Sequence, residues 1–189
     1  MFKNPNAPLR LICVLDTSAS MTGKRIDCLN QGLKRVQTAL LEKYGSELTV
    51  DILQFDTSPR WRSFSDLPIK VSGTTNVGEA LKALKEYGKK FPDNCSCALM
   101  FSSDGWPTDV YGGIQQILQQ EKWFNMAVKT GIAISEDASA EMLTNIVGSQ
   151  SAVITVKEIT LLPELFETLA VASVEAAKKN GEQRTNVLQ

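Results

Sequence analysis

Three short segments concentrate side chains that could hold a hard cation. They read Asp16-Thr17-Ser18-Ala19-Ser20, Gly73-Thr74-Thr75-Asn76 and Ser103-Asp104-Gly105. Each offers oxygen donors and nothing softer. Hard divalent ions such as Mg²⁺ take oxygen ligands in an octahedral array and keep some of their waters. Two carboxylates, three hydroxyls and one or two waters would fill such a sphere. The D-x-S-x-S spacing suits a loop, where alternate side chains can point at one centre. Alone it has low specificity, because Asp and Ser crowd into any turn. Its weight comes from the company of the other two segments.

The rest of the composition narrows the chemistry. The chain has no histidine. That removes Ser-His-Asp and Cys-His catalysis, a histidine general base and histidine-containing zinc sites. Twenty basic and 21 acidic residues give a net charge of −1, so there is no basic footprint for nucleic acid or a membrane surface. Of Cys13, Cys28, Cys95 and Cys97, only the last two are close together, which does not make the paired knuckles of an all-cysteine zinc site. Cys95 and Cys97 lie two apart in an apolar segment, on one side of a strand, and read as small buried hydrophobes. The start, MFKNPNAPLR, lacks the apolar core of a secretory signal, and no apolar run is long enough to span a membrane. The expectation is a cytoplasmic protein with free thiols.

These segments need a scaffold that brings them together. A chain of 189 residues, 43% hydrophobic, suits one domain, expected over residues 1–180 with a polar tail at 181–189. Strand and helix patterns alternate along it. Apolar runs predict strands at Leu9–Leu15, Leu48–Phe55, Trp61–Phe64, Cys95–Phe101, Met126–Ile134 and Ala152–Val156. Helical spacing predicts helices at Gly23–Tyr44, Asn76–Lys90, Val110–Phe124, Ala138–Val147 and Leu162–Lys178. The turn at Asp56 to Pro59 is too short for a crossover helix, so the strands it joins should be antiparallel. The pattern implies an α/β sandwich around a mostly parallel sheet. Such sheets bind ligands beyond the carboxyl ends of their strands, where strand order reverses. An order that sets the first strand beside Cys95–Phe101 would bring Asp16 and Asp104 together.

The three segments, in this order, resemble the metal-ion-dependent adhesion site of the von Willebrand factor A domains. The likeness runs from Leu9 to Lys178. It is nearest to the small bacterial cytoplasmic group typified by the tellurium-resistance TerY proteins, where D-T-S-G-S-M, T-N-x-G and D-G-x-P-T-D recur. Here they read Asp16-Thr17-Ser18-Ala19-Ser20-Met21, Thr75-Asn76-Val77-Gly78 and Asp104-Gly105-Trp106-Pro107-Thr108-Asp109. The resemblance implies a doubly wound three-layer sandwich, with about six strands and one antiparallel edge strand. It implies a metal, Mg²⁺ with Mn²⁺ or Ca²⁺ as alternatives, held by Asp16, Ser18, Ser20, Thr75 and Asp104, some through water. The open position would take a Glu or Asp from a partner protein. Of Thr74 and Thr75, the family spacing points to Thr75, directly before Asn76. Ala19 stands where Gly is common, which costs backbone freedom but no ligand. A binding module follows, not an enzyme, monomeric when alone. The group's context is bacterial stress response or phage defence, with a kinase or phosphatase as a candidate partner.

Two other functions compete. A Mg²⁺-dependent aspartyl phosphotransferase of haloacid-dehalogenase type also places an Asp after its first strand. It needs a second acid two residues later, and that position is Ser18. A metal-free structural scaffold would keep the loops only as caps and turns. Near the site, Trp106 could anchor a partner or cover the core. Lys24 and Arg25 read as solvated residues at a helix start. Asp109 reads as a cap for the helix that follows it, and Trp61 and Trp123 read as packing residues.

Overall fold

The computed structural model describes residues 8–136 and 138–187. Residues 1–7, part of the segment read as lacking a secretory signal, lie outside the described residues, as do 188 and 189 of the expected tail. In chain order the elements are β1 (Leu9–Asp16), α1 (Lys24–Tyr44), β2 (Leu48–Phe55), β3 (Arg60–Arg62), α2 (Val77–Gly88), β4 (Ser96–Ser103), α3 (Gly112–Leu118), α4 (Lys122–Met126), β5 (Val128–Ala133), α5 (Ala140–Val147), β6 (Val153–Thr155) and α6 (Leu162–Val187).

Strand β1 shows why the architecture is layered. Its Leu9, Leu11, Cys13 and Leu15 join one apolar cluster, and Ile12 and Val14 join another. A strand apolar on both faces has to be covered on both. Helices α1 and α6 cover the first face, through Ile26, Leu29, Leu33 and Val36 and through Phe166, Ala170 and Val174. Helices α2 and α5 cover the second, through Val77, Ala80, Leu81 and Leu84 and through Met142, Leu143 and Ile146. Spacings of three and four residues put each set on one helix face. The outcome is a doubly wound three-layer α/β sandwich.

Strand order is β3-β2-β1-β4-β5-β6, and β3 alone runs antiparallel to its neighbour. The order reverses between β1 and β4. In their register Leu15 lies opposite Ser102, so Asp16 and Asp104 leave the sheet at the same edge. Adjacent carboxyl ends at a reversal of strand order leave a crevice between diverging crossovers.

Three departures from the sequence reading have physical causes. The expected helix at Val110–Phe124 is two helices, α3 and α4, with Glu121 extended between them. Leu118 and Phe124 are both buried yet stand six residues apart, roughly 120° around a helix, so one straight helix would point them in different directions. Helix α6 runs to Val187, through most of the expected polar tail. It continues because Ala177 and Gly181, one turn apart, lie against the sheet; a methyl on Gly181 would sit 1.9 Å from Ser96 Oγ. Asp109 does not cap the helix after it. Its carboxylate accepts from the backbone N–H groups of Gly78 (3.0 Å) and Glu79 (3.1 Å), at the start of α2. That capping needs close approach: a methyl on Gly78 would lie 2.7 Å from Val110 O.

A carboxylate on two orphan N–H groups at the positive end of a helix is a stabilising contact. Asp109→Ala should lower the unfolding free energy by about 1 kcal/mol, read as a drop in urea midpoint. An unchanged midpoint would show that the cap contributes nothing.

Candidate metal centre

The first segment is fixed before it reaches the site. Thr17 donates to Phe55 O through its N–H (2.8 Å) and its hydroxyl (3.1 Å). Its own carbonyl accepts from Ser72 N–H at 2.9 Å, and Ala19 N–H donates to Gly73 O at 3.1 Å. Residues Ala19–Met21 then form a single 3-10 turn, and Met21 plugs it into the core. Gly73 has φ +65°, and a methyl there would lie 2.2 Å from Thr57 Oγ1, so the tight passage requires glycine. The third segment is strapped onto the second. Thr108 N–H donates to Thr75 O at 2.9 Å and Thr108 Oγ1 to Asn76 Oδ1 at 2.8 Å.

Between these loops the oxygens form a continuous chain. Ser103 Oγ donates to Asp16 Oδ2 at 2.5 Å, and Ser18 N–H to Asp16 Oδ1 at 2.9 Å. Ser18 Oγ and Ser20 Oγ are 3.0 Å apart, and Ser20 Oγ donates to Asp104 Oδ1 at 2.7 Å. Thr75 Oγ1 flanks the same place: a methyl built on Gly105 would lie 3.6 Å from Thr75 Oγ1 and 3.8 Å from Ser20 Oγ. The Thr74 hydroxyl points elsewhere, 3.3 Å from Thr57 Oγ1 and donating to Asn76 Oδ1. Asp16, Ser18, Thr75 and Asp104 are buried, and Ser20 is exposed, so the cluster opens to solvent at Ser20.

Sequence reasoning missed two contributors. Ser103 orients Asp16; a serine ending a buried apolar strand was its signal. Arg25 does not stay in solvent. Its Nη1 donates to Asp104 Oδ2 at 2.5 Å and to Ser20 O at 3.1 Å. Nothing in a residue spacing says that a long side chain folds back over its own loop.

Burial dominates the electrostatics of the site. Burial pushes the Asp16 carboxyl above its usual range, Ser103 and Ser18 pull it partly back, and the Asp104 charge adds to the rise. At the end of β2, burial also works against the Asp56 carboxylate. There Ser72, the Ser58 N–H and Arg60 prevail and hold it below the usual range. Among the described residues no three His, Cys, Asp or Glu side chains form a metal cluster. Two carboxylates backed by hydroxyls are instead a donor set for a hard ion, and they balance the charge of a divalent one.

No protein-family model and no curated protein matches the sequence. Solved structures do match. A von Willebrand factor type A protein from Catenulispora acidiphila superposes with a TM-score of 0.68 at 13% identity, over 89% of this chain and 43% of that one. The fold is that of the von Willebrand factor A domains. The ArnB paralog VWA2 from Sulfolobus acidocaldarius matches with a TM-score of 0.65 at 18% identity, over 85% of this chain and 44% of that one. Proximal thread matrix protein 1 from the mussel byssus, described with a zinc-occupied MIDAS motif, gives 0.68 at 16% identity, over 87% and 45%. The chain therefore spans less than half the length of these proteins. In this A-domain frame Asp16, Ser18, Ser20, Thr75 and Asp104 converge at the β1–β4 reversal, while Trp106, 64% exposed, stands beside them and does not cover the core. Trp61 and Trp123 pack instead, Trp61 on Tyr87 at 4.1 Å and Trp123 on Phe91 at 5.3 Å between ring centres.

Ionised Asp16 works against folding. Its folded-state pKa is raised, so the folded chain holds the proton more tightly than the unfolded chain does. Stability therefore falls as pH rises from the ordinary carboxylate range through the raised value. Asp56 has the opposite sign: its contribution is present above the ordinary range and is lost as pH falls through the lowered value. Asp16→Asn should raise the stability of the metal-free protein at neutral pH by about 1 kcal/mol and flatten its decline with rising pH. Urea unfolding across the acidic-to-neutral range checks this. A variant less stable than wild type at neutral pH would contradict it.

Proposed function

We propose that this domain is a divalent-metal-dependent interaction module that grips a carboxylate on a partner protein. The observation that carries the reading is the convergence of two carboxylates and three hydroxyls from three separate segments, at an opening to solvent. Asp16, Ser18, Ser20, Thr75 and Asp104 would hold the ion, with Mg²⁺ preferred for its demand for oxygen ligands, and Mn²⁺ or Ca²⁺ as alternatives. When bound, the ion supplies an open coordination position for a Glu or Asp of the partner. The chain's own residues do the rest. Ser103 and the Ser18 N–H fix the orientation of Asp16, and Ser20 links the ion's surroundings to Asp104. Trp106 and Val110, exposed beside the third segment, offer apolar contact around a captured carboxylate. The zinc-occupied MIDAS motif of the mussel protein supports an ion at this place in the fold.

A catalytic role has less support. Ser18 stands where a phosphotransferase needs its second acid, and both Asp16 oxygens already accept hydrogen bonds inside the protein. The four cysteines are buried free thiols, and burial pushes the Cys13 thiol up to about 12. Unreactive thiols of this kind suit the reducing cytoplasm we assign to the protein. No helix among the described residues is long and apolar enough to cross a membrane. A TerY-like role in bacterial stress response or phage defence, acting on a kinase or phosphatase, rests on the motif resemblance. So does the monomeric state.

Titration of Mg²⁺ and Mn²⁺ into chelator-treated protein tests the reading. One saturable site is expected in wild type and none in Asp104→Ala, because removing one of two carboxylates leaves half the balancing charge. Partner capture should require Mg²⁺ and be lost in EDTA. No metal binding by wild type, with capture unchanged in EDTA, would favour the metal-free scaffold.

A further inference from the structure

Arg25 has no part in the metal reading, yet it makes the closest charged contact in the site. It leaves the first turn of α1 and reaches back over the Ala19–Met21 turn. Its Nη1 sits between Asp104 Oδ2 and Ser20 O, while Ser20 Oγ occupies the other Asp104 oxygen. The Asp104 side chain is fully buried and that of Arg25 is 35% exposed, so the contact seals one wall and faces solvent on its outer side. Its Nε and Nη2 have no hydrogen-bond partner among the described residues. Of the neighbouring cations, Arg60 pairs with Asp56, and Lys24 is exposed. Among the described residues, Arg25 is the cation paired with Asp104, the carboxylate beside Asp16.

Charge counting gives this contact a consequence. Two carboxylates against one guanidinium leave a single negative charge. A divalent ion turns that into a single positive charge, and one incoming carboxylate cancels it. Two cations a few ångströms apart repel, so Arg25 must weaken binding of the ion alone. A guanidinium with unused donors also favours a planar, two-oxygen partner such as carboxylate.

We propose that Arg25 couples the two binding events: it lowers the affinity for the ion alone and, through its outward-facing N–H groups, raises the affinity of the ion-loaded site for a carboxylate. The proposal rests on the metal reading above. The domain would stay largely empty of metal until an acidic side chain arrives, and the ion and that side chain would then be held together.

The test uses the full chain, Mn²⁺ as the ion and acetate as the carboxylate, by calorimetric titration at matched ionic strength. Wild type is compared with Arg25→Met, Arg25→Gln and Arg25→Lys. Without acetate, Arg25→Met and Arg25→Gln should bind Mn²⁺ about tenfold more tightly than wild type, and Arg25→Lys should stay near wild type. Acetate should strengthen Mn²⁺ binding by wild type several-fold, and by the two neutral variants clearly less, because the ion's open position remains but the Arg25 N–H groups are gone. A merely structural role would weaken metal binding, not strengthen it. The neutral pair guards against misfolding, because Gln keeps a donor that Met lacks, and circular dichroism confirms which variants are folded. Equal or weaker Mn²⁺ binding by a folded neutral variant overturns the role of Arg25 and leaves the metal site standing. Absence of Mn²⁺ binding in wild type and every variant overturns both.

Discussion

Two carboxylates placed side by side out of water are the constraint on which this structure turns. Like charges in a low-dielectric setting repel and are poorly solvated. Asp16 and Asp104 stand this way because β1 and β4 are neighbours and end at the same edge. A folded protein tolerates such a pair only if something offsets the charge. Here hydroxyl and N–H donors meet Asp16, and Arg25 and Ser20 meet Asp104. Burial displaces the Asp16 carboxyl upward, the neutral donors pull it only partly back, and the Asp104 charge adds to the rise. The site carries this charge at some cost in stability.

Holding that geometry takes more than Asp16, Ser18, Ser20, Thr75 and Asp104. Thr17 ties the first loop to β2, the Gly73 passage ties it to the second, and Thr108 with Asp109 ties the third loop to the start of α2. Glycines sit where the loops pass closest, at Gly73 against Thr57 and at Gly78 against Val110. A side chain at either place would push the loops apart and with them the oxygens. Gly73, Gly78, Thr17, Thr108 and Asp109 thus form a positioning frame for the oxygens of the site.

The opposite edge of the domain has a different character. Arg10 pairs with Asp51 at 2.8 Å beneath Tyr87 and lies 5.0 Å from the Phe91 ring centre, and an aromatic row continues through Trp123 to Phe124. Trp123 packs against Gly88, where a methyl would come within 2.1 Å of its ring. This packing keeps α2 and α4 rigid against the sheet. It spends these aromatic residues on the core, and among the described residues Trp106 is the exposed aromatic, next to Asp104 and Gly105.

Much of this was legible without coordinates. Continuous apolar strands alternating with helices determine a layered α/β fold, because both faces of each strand need cover. Oxygen-only segments placed after β1, before α2 and after β4 determine the chemical character of the site. Local signals failed where distant parts of the chain decide. The break between α3 and α4, the extension of α6 through Gly181, the reach of Asp109 to α2 and the return of Arg25 to Asp104 each join residues whose separation carries no periodicity. Adjacent Thr74 and Thr75 are also parted by packing: the Thr74 hydroxyl faces Thr57, and the Thr75 hydroxyl lies on the side of Gly105 and Ser20. Composition and spacing determine which groups this protein can offer. Which of them meet, and which charge stands against which, was decided only when the sheet set β1 beside β4, because electrostatic and hydrogen-bond contacts depend on distance through space, not along the chain.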